Sequence, residues 1–242
     1  MKLKNKVVLI TGTNRGIGKS LVKAVLDKGA KKVYATSRSL SKNIDFKDKR
    51  IVLLELDITD IKKIEDVARY ATDTQVLINN AGILSQGNIL EGDLEKIHLD
   101  MDVNYFSTIN MMRAFAPVIE KNTSPAIINI VSIAAYTNFP FIAGYSASKA
   151  ALYSATQAAR IELKNKGISV YAIHPGAIDT DMNKGYEGEM TSPDEVAISI
   201  LNEVETDKPD IIPDKVGRGM YEIWKKNPPD LEEIASKMYN GE

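Results

Sequence analysis

No cysteine occurs anywhere in the 242 residues, which excludes a thiol nucleophile, a disulfide framework and a cysteine-based zinc site. Only two histidines are present, His98 and His174, too few for a histidine-rich metal site. Net charge is also nearly missing. The 31 basic and 32 acidic residues leave −1, and nothing in that balance draws the whole chain to nucleic acid or an anionic membrane. Long apolar runs are absent too: Met1 to Lys6 leads straight into Val7-Val8-Leu9-Ile10, far too short for a signal-peptide core or a membrane span, so a cytoplasmic protein is expected. There is no Pro/Gly-rich linker, repeat or low-complexity stretch, and one domain over residues 1–242 is the simplest organisation. What is present is 44% apolar and 26% charged, an ordinary globular composition in a chain long enough to bury a full central sheet.

Short β-branched runs alternate with longer amphipathic stretches, the pattern of a mostly parallel sheet with helices on both faces. Strands are expected over residues 7–11, 32–36, 51–55, 75–79, 126–131, 168–173 and 210–213. Most are continuously apolar, as strands covered on both faces should be. Helices are expected over 17–28, 61–70, 94–121 (with a break), 146–166 and 193–203, and a short packed helix over 231–239.

Between the first strand and the first helix lies Thr11-Gly12-Thr13-Asn14-Arg15-Gly16-Ile17-Gly18. Glycines there allow a sharp turn and a close backbone approach, and the helix N-terminus presents free N–H groups to an anion, so a pyrophosphate is the natural occupant. A tight strand-to-helix turn that binds nothing is the plainer alternative. The end of the second strand bears on which dinucleotide would bind. An acid there would hold the adenosine ribose of NAD, but the sequence reads Thr36-Ser37-Arg38-Ser39. Arg38, and Arg15 in the glycine turn, are suited to a 2′-phosphate, which points to NADP(H). Both arginines could instead be solvated surface charges.

Tyr145-Ser146-Ala147-Ser148-Lys149 opens the long helix before the sixth strand. Four helical residues rise about 6 Å and put Tyr145 and Lys149 on one face. Tyrosine ordinarily titrates near about 10, and a neighbouring ammonium is expected to lower that value. Ser132 closes the fifth strand, where its hydroxyl could polarise a carbonyl oxygen.

Together these segments resemble the short-chain dehydrogenase/reductase family, in its compact single-domain branch. The likeness runs over nearly the whole chain and takes in Thr11–Gly18, Asp57, Asn79-Asn80-Ala81-Gly82, Asn104, Ser132, Tyr145, Lys149 and Pro175-Gly176-Ala177-Ile178-Asp179-Thr180. It implies a Rossmann-type, doubly wound α/β fold with a seven-stranded, mostly parallel sheet. It also implies roles. Tyr145 would be the general acid, Lys149 would tune it and hold the nicotinamide ribose, and Ser132 would bond the substrate oxygen. Asn104 would bind a water linking Lys149 to solvent. The cofactor would touch Gly12, Asn14, Arg15, Gly16, Ile17, Gly18, Ser37, Arg38, Asp57, Ile58, Asn80, Ala81, Gly82, Tyr145 and Lys149, and its carboxamide Pro175, Gly176, Ile178 and Thr180. Asn80 and Asn104 could instead be structural, and Asp57 could be a helix-terminal acid near Thr59 and Asp60.

The implied activity is NADPH-dependent reduction of a small to medium ketone or aldehyde, the alternative being a silent dinucleotide-binding sensor or scaffold. A mostly apolar pocket is expected from Ile83, Leu84, Ala134, Thr137, Phe139, Phe141, Ala177, Met182 and Tyr186, kept open by a short segment after Asp181. The alanines of the long helix suit a homodimer or homotetramer, although they could simply pack on the sheet. Neither histidine is expected to be catalytic.

Overall fold

The computed structural model describes residues 1–40 and 46–241. Seven strands run through it: β1 (Val7–Ile10), β2 (Lys32–Ser37), β3 (Ile51–Glu55), β4 (Val76–Asn79), β5 (Ala126–Ile130), β6 (Ser169–Ile173) and β7 (Asp210–Ile211). They form one sheet in the order β3-β2-β1-β4-β5-β6-β7, with every pair parallel. The helices are α1 (Gly16–Asp27), α2 (Ile61–Tyr70), α3 (Leu94–Asp100), α4 (Ser107–Ile119), α5 (Ala143–Leu163), α6 (Pro193–Val204), α7 (Lys215–Lys226) and α8 (Pro228–Asn240). None is long and apolar enough to cross a membrane.

Burial explains why the strands read as unbroken apolar runs. Val8 and Ile10 of β1 face a core made with Leu21 and Val25 of α1 and Ile200 and Leu201 of α6. Val7 and Leu9 face the opposite core, with Ile64 of α2 and Met111, Phe115 and Ile119 of α4. Both faces of the sheet are covered by helices, so alternation with polar residues would bury polar groups without partners.

Three features of the fold, two of them departures from the sequence reading, matter for the site. Helix α5 begins at Ala143, so Tyr145 lies inside its first turn. The break expected within the helix over 94–121 takes the form of a π-helical stretch, Met101–Phe106, which holds Asn104; such stretches gather at functional sites. Helix α7 was not expected. The switch in strand order falls between β1 and β4, and the crevice beyond their carboxyl ends is where doubly wound sheets bind ligands.

Candidate active site

The glycine turn is packed hard against the end of β4. Gly12 has φ +70°, and a Cβ there would lie 2.9 Å from the Ala81 Cα. A Cβ on Gly18 would lie 2.1 Å from the Gly12 carbonyl oxygen and 2.5 Å from Asn80 Nδ2. Asn80 is what draws these backbones together: its Nδ2 donates to the carbonyls of Thr11 (2.9 Å) and Gly12 (3.1 Å). The Thr11 hydroxyl in turn accepts from the N–H groups of Asn80 and Ala81, each at 3.0 Å. Beyond the turn, α1 starts at an Arg15 N-cap with no side-chain cap bond and no acid in its first turn. A helix end left without a capping side chain or an acid favours an anion, so these residues fit a dinucleotide pyrophosphate.

At the far end of the crevice Ser37 is buried and donates to the Ser39 carbonyl at 2.6 Å, while Arg38 is exposed at the rim. Asp57 accepts from the backbone N–H (3.0 Å) and hydroxyl (2.8 Å) of Thr59, which hold its carboxyl below the ordinary range, with help from Arg38. The N-cap of α2 is Asp60, through Lys63 N–H at 3.1 Å, so Asp57 does not cap the helix. Arg15 is paired across the crevice with Asp181 at 3.0 Å; with both partners largely exposed, this is a weak tie that a ligand phosphate could replace.

Tyr145 and Lys149 meet Ser132 where α5 passes the ends of β5 and β6. Burial pushes Tyr145 up to about 12 and the Asp100 carboxylate adds to the rise, while a hydrogen bond with Ser132 opposes it. Lys149 is pushed down to about 8 by burial, against the pull of Asp100. Its Nζ donates to the Ile130 carbonyl at 2.9 Å and lies 5.5 Å from the centre of the Tyr145 ring. The expectation that the ammonium would lower the tyrosine pKa is therefore not met in the polypeptide alone. The amine is held on a backbone carbonyl, and desolvation of the phenol dominates.

The Asn104 side chain is fully engaged. Its Oδ1 accepts from Ile83 N–H (2.9 Å), and its Nδ2 donates to the Ile83 carbonyl (3.0 Å) and Ser148 Oγ (2.9 Å). It clamps the loop after β4 to α5, which is the structural role weighed against water binding. Nearby, Asp100 was not singled out in the sequence. It is fully buried, accepts from Ser85 N–H at 3.2 Å through Oδ1, and its Oδ2 has no partner among the described residues. His98 is exposed; His174 is buried, with Nδ1 3.3 Å from the Ser132 carbonyl.

One cavity of about 560 Å³ connects these pieces. Every expected site residue lines it except Asn104, which sits behind the wall. The expected substrate-side residues also line it, apart from the buried Thr137. Missed were Leu99, Val103, Ile142, Met220 and Met238. Asp214 was missed as well. Its Oδ2 accepts from Gly176 N–H and its Oδ1 from Gly217 N–H, each at 2.8 Å, pinning the Pro175-Gly176 turn to the start of α7. Its signal was an acid at a helix start, visible only once α7 is recognised.

A sheet switched at β1, a glycine turn against a helix N-terminus, and Tyr145, Lys149 and Ser132 at one end of the same cavity define a dinucleotide-dependent oxidoreductase. The model of the short chain dehydrogenase family matches residues 6–190, and the chain belongs to that family. It is similar to a short chain dehydrogenase of Burkholderia cenocepacia solved in complex with NADP, at 34% identity and a TM-score of 0.92, covering 97% of this chain and 99% of that one. An uncharacterized oxidoreductase of Staphylococcus saprophyticus is 32% identical over 194 residues, covering 76% of this chain and 82% of the relative. An NADPH-dependent 1-acyldihydroxyacetone phosphate reductase of Schizosaccharomyces pombe is 34% identical over 192 residues, covering 77% of this chain and 64% of the relative.

Proposed function

We propose that the protein reduces a small to medium ketone or aldehyde to the alcohol, reversibly, using NADP(H). The observation that carries this reading is the placement of Tyr145, Ser132 and Lys149 at one end of the cavity that begins at the glycine turn. The dinucleotide, when bound, supplies the hydride. The phenol of Tyr145 stays protonated throughout the neutral range and gives its proton to the carbonyl oxygen, which Ser132 Oγ also bonds. Lys149 holds positive charge beside that oxygen and orients the nicotinamide ribose, while Pro175, Gly176, Ile178 and Thr180 border the carboxamide. NADPH consumption by the purified protein over a panel of ketones and aldehydes tests this directly. Tight NADPH binding with no turnover on any of them would favour the sensor reading.

The preference for NADP(H) is supported by Ser37 and Arg38 where an acid would serve NAD, and by the NADP and NADPH of two relatives. Replacing Arg38 with Ala should raise KM for NADPH about tenfold to a hundredfold, the value of one charge-assisted contact, and leave KM for NADH nearly unchanged. Equal effects on both cofactors would remove Arg38 from the 2′-phosphate.

Lys149 sets an expected pH dependence. A lysine lowered to about 8 is charged below that pH and loses its charge as pH rises through it. Tyr145, near 12, remains protonated across the same window. Reduction should therefore be highest well below pH 8, fall to about half as pH passes through the lysine value and decline further above it, seen in kcat/KM for NADPH, which reports groups of the free enzyme. A profile flat to pH 10 would show that the lysine charge is not required.

A cytoplasmic homo-oligomer completes the proposal. Its support is the exposed stripe Ala147, Ala150, Ser154, Ala158 and Ile161 along α5, on the side away from the buried Lys149, Leu152 and Thr156. Small side chains there let a second copy approach closely.

A further inference from the structure

We propose that the α7–α8 hairpin is the substrate-selecting wall of this site, and that Met220 and Met238 select a neutral carbonyl compound with an alkyl or aryl arm over an anionic one. The inference rests on the carbonyl-reductase reading above and adds the class of substrate.

Met220 from α7 and Met238 from α8 line the same cavity as Tyr145. With Leu84 and Phe141 they pack against a buried cluster of Ala134, Phe139, Tyr145 and Ala235. The hairpin is anchored well enough to act as a wall. Asp214 ties the start of α7 to Gly176 and Gly217, and Arg218 donates to the carbonyls of Ile212 (2.9 Å) and Pro213 (2.7 Å). Trp224 lies 4.6 Å from the Tyr136 ring, and Leu231 and Ala235 bury the inner side of α8. An arm extending from a carbonyl held at Tyr145 and Ser132 therefore meets thioether and aromatic surface.

Charge is distributed the other way. Among the described lining residues the charged groups are Arg15, Arg38, Asp57, Asp181 and Lys149. Arg15 and Asp181 pair with each other beside the glycine turn, and Arg38 and Asp57 mark the adenosine end. Lys149 stands at the Tyr145 end of the cavity, its Nζ donating to the Ile130 carbonyl, away from the α7–α8 side. A carboxylate or phosphate on the substrate arm would be desolvated against Met220 and Met238 with no cation to meet it, which is costly. Unbranched thioethers adapt to different shapes, so the wall should accept arms of varied form provided they are apolar.

The test compares 2-octanone with 7-oxooctanoate, a methyl ketone of equal chain length ending in a carboxylate, and uses acetone as a substrate too short to reach the wall. The wild type should prefer 2-octanone in kcat/KM by about tenfold or more. Met238→Arg should shrink or invert that ratio by about tenfold, with Kd for NADPH unchanged. Should the arginine variant fail to fold, as judged by its thermal melt, Met238→Gln keeps the length and flexibility of the side chain. It should raise KM for 2-octanone severalfold more than KM for acetone. A wild type that turns over both long ketones equally, or a folded variant with an unchanged ratio, overturns the inference and leaves the reductase reading standing. No turnover on any ketone, with NADPH still bound, overturns both.

Discussion

Tyr145→Phe is expected to reduce carbonyl turnover by about a hundredfold to ten-thousandfold, the usual value of a positioned proton donor, while NADPH binds as tightly as before. The substitution removes one oxygen and leaves the ring. That ring sits in the cluster with Ala134, Phe139 and Ala235, so packing is retained and only the hydrogen bond with Ser132 is lost. One such bond contributes about 1 kcal/mol to stability, so the melting temperature should move little. Fluorescence titration with NADPH, a thermal melt and steady-state turnover on the same preparation separate the three effects. Turnover within a few-fold of wild type would mean that another group donates the proton. The buried Asp100, whose carboxyl is raised by its own desolvation, would then be the first to examine.

Much of this site was legible because its parts are local. The strands showed as apolar runs because both faces of the sheet are covered. The glycine turn showed because three glycines within seven residues have few other uses after a buried strand. Tyr145 and Lys149 showed because a helix converts a spacing of four into a shared face. What stayed hidden depends on residues distant in sequence. Nothing near Lys149 says that its amine will settle on the Ile130 carbonyl, or that burial will outweigh charge in setting the tyrosine pKa. Helix α7 was missed for a local reason. Lys215-Val216-Gly217-Arg218-Gly219 reads as a loop, since glycine disfavours helix. Gly217 is explained by packing instead: a Cβ there would lie 3.0 Å from Asp214 Oδ2 and 3.1 Å from the Gly176 nitrogen. Asp214 as N-cap and the apolar spacing Val216, Met220, Ile223 were the signals that could have found the helix. With α7 missed, Met220 went unseen as a lining residue of the cavity.

The glycine turn allows an equally sharp expectation by a different route. Gly18→Ala places a methyl group 2.1 Å from the Gly12 carbonyl oxygen and 2.5 Å from Asn80 Nδ2. Neither neighbour is a free side-chain end. Gly12 is backbone held at φ +70° against Ala81, and the Asn80 amide is fixed by two carbonyls. The turn must therefore open, separating the end of β1 from the start of α1 and turning the first N–H groups of the helix away from the anion site. Affinity for NADPH should fall by about a hundredfold or more, comparable to losing two or more hydrogen bonds to a charged group, and the melting temperature should drop as well. Gly219→Ala is the matched control. It lies within α7 with nothing within 4 Å of its built Cβ, so alanine there should be neutral or stabilising by up to about 1 kcal/mol and leave NADPH binding intact. Calorimetric titration of both variants decides the matter. Were Gly18→Ala to bind NADPH within threefold of wild type while remaining folded, the turn could not be the phosphate cradle, and the anion would have to be held elsewhere in the cavity. Loss of binding in this variant beside retained binding in Tyr145→Phe would assign recognition to the first strand-to-helix turn and chemistry to α5, two ends of one crevice that can fail independently.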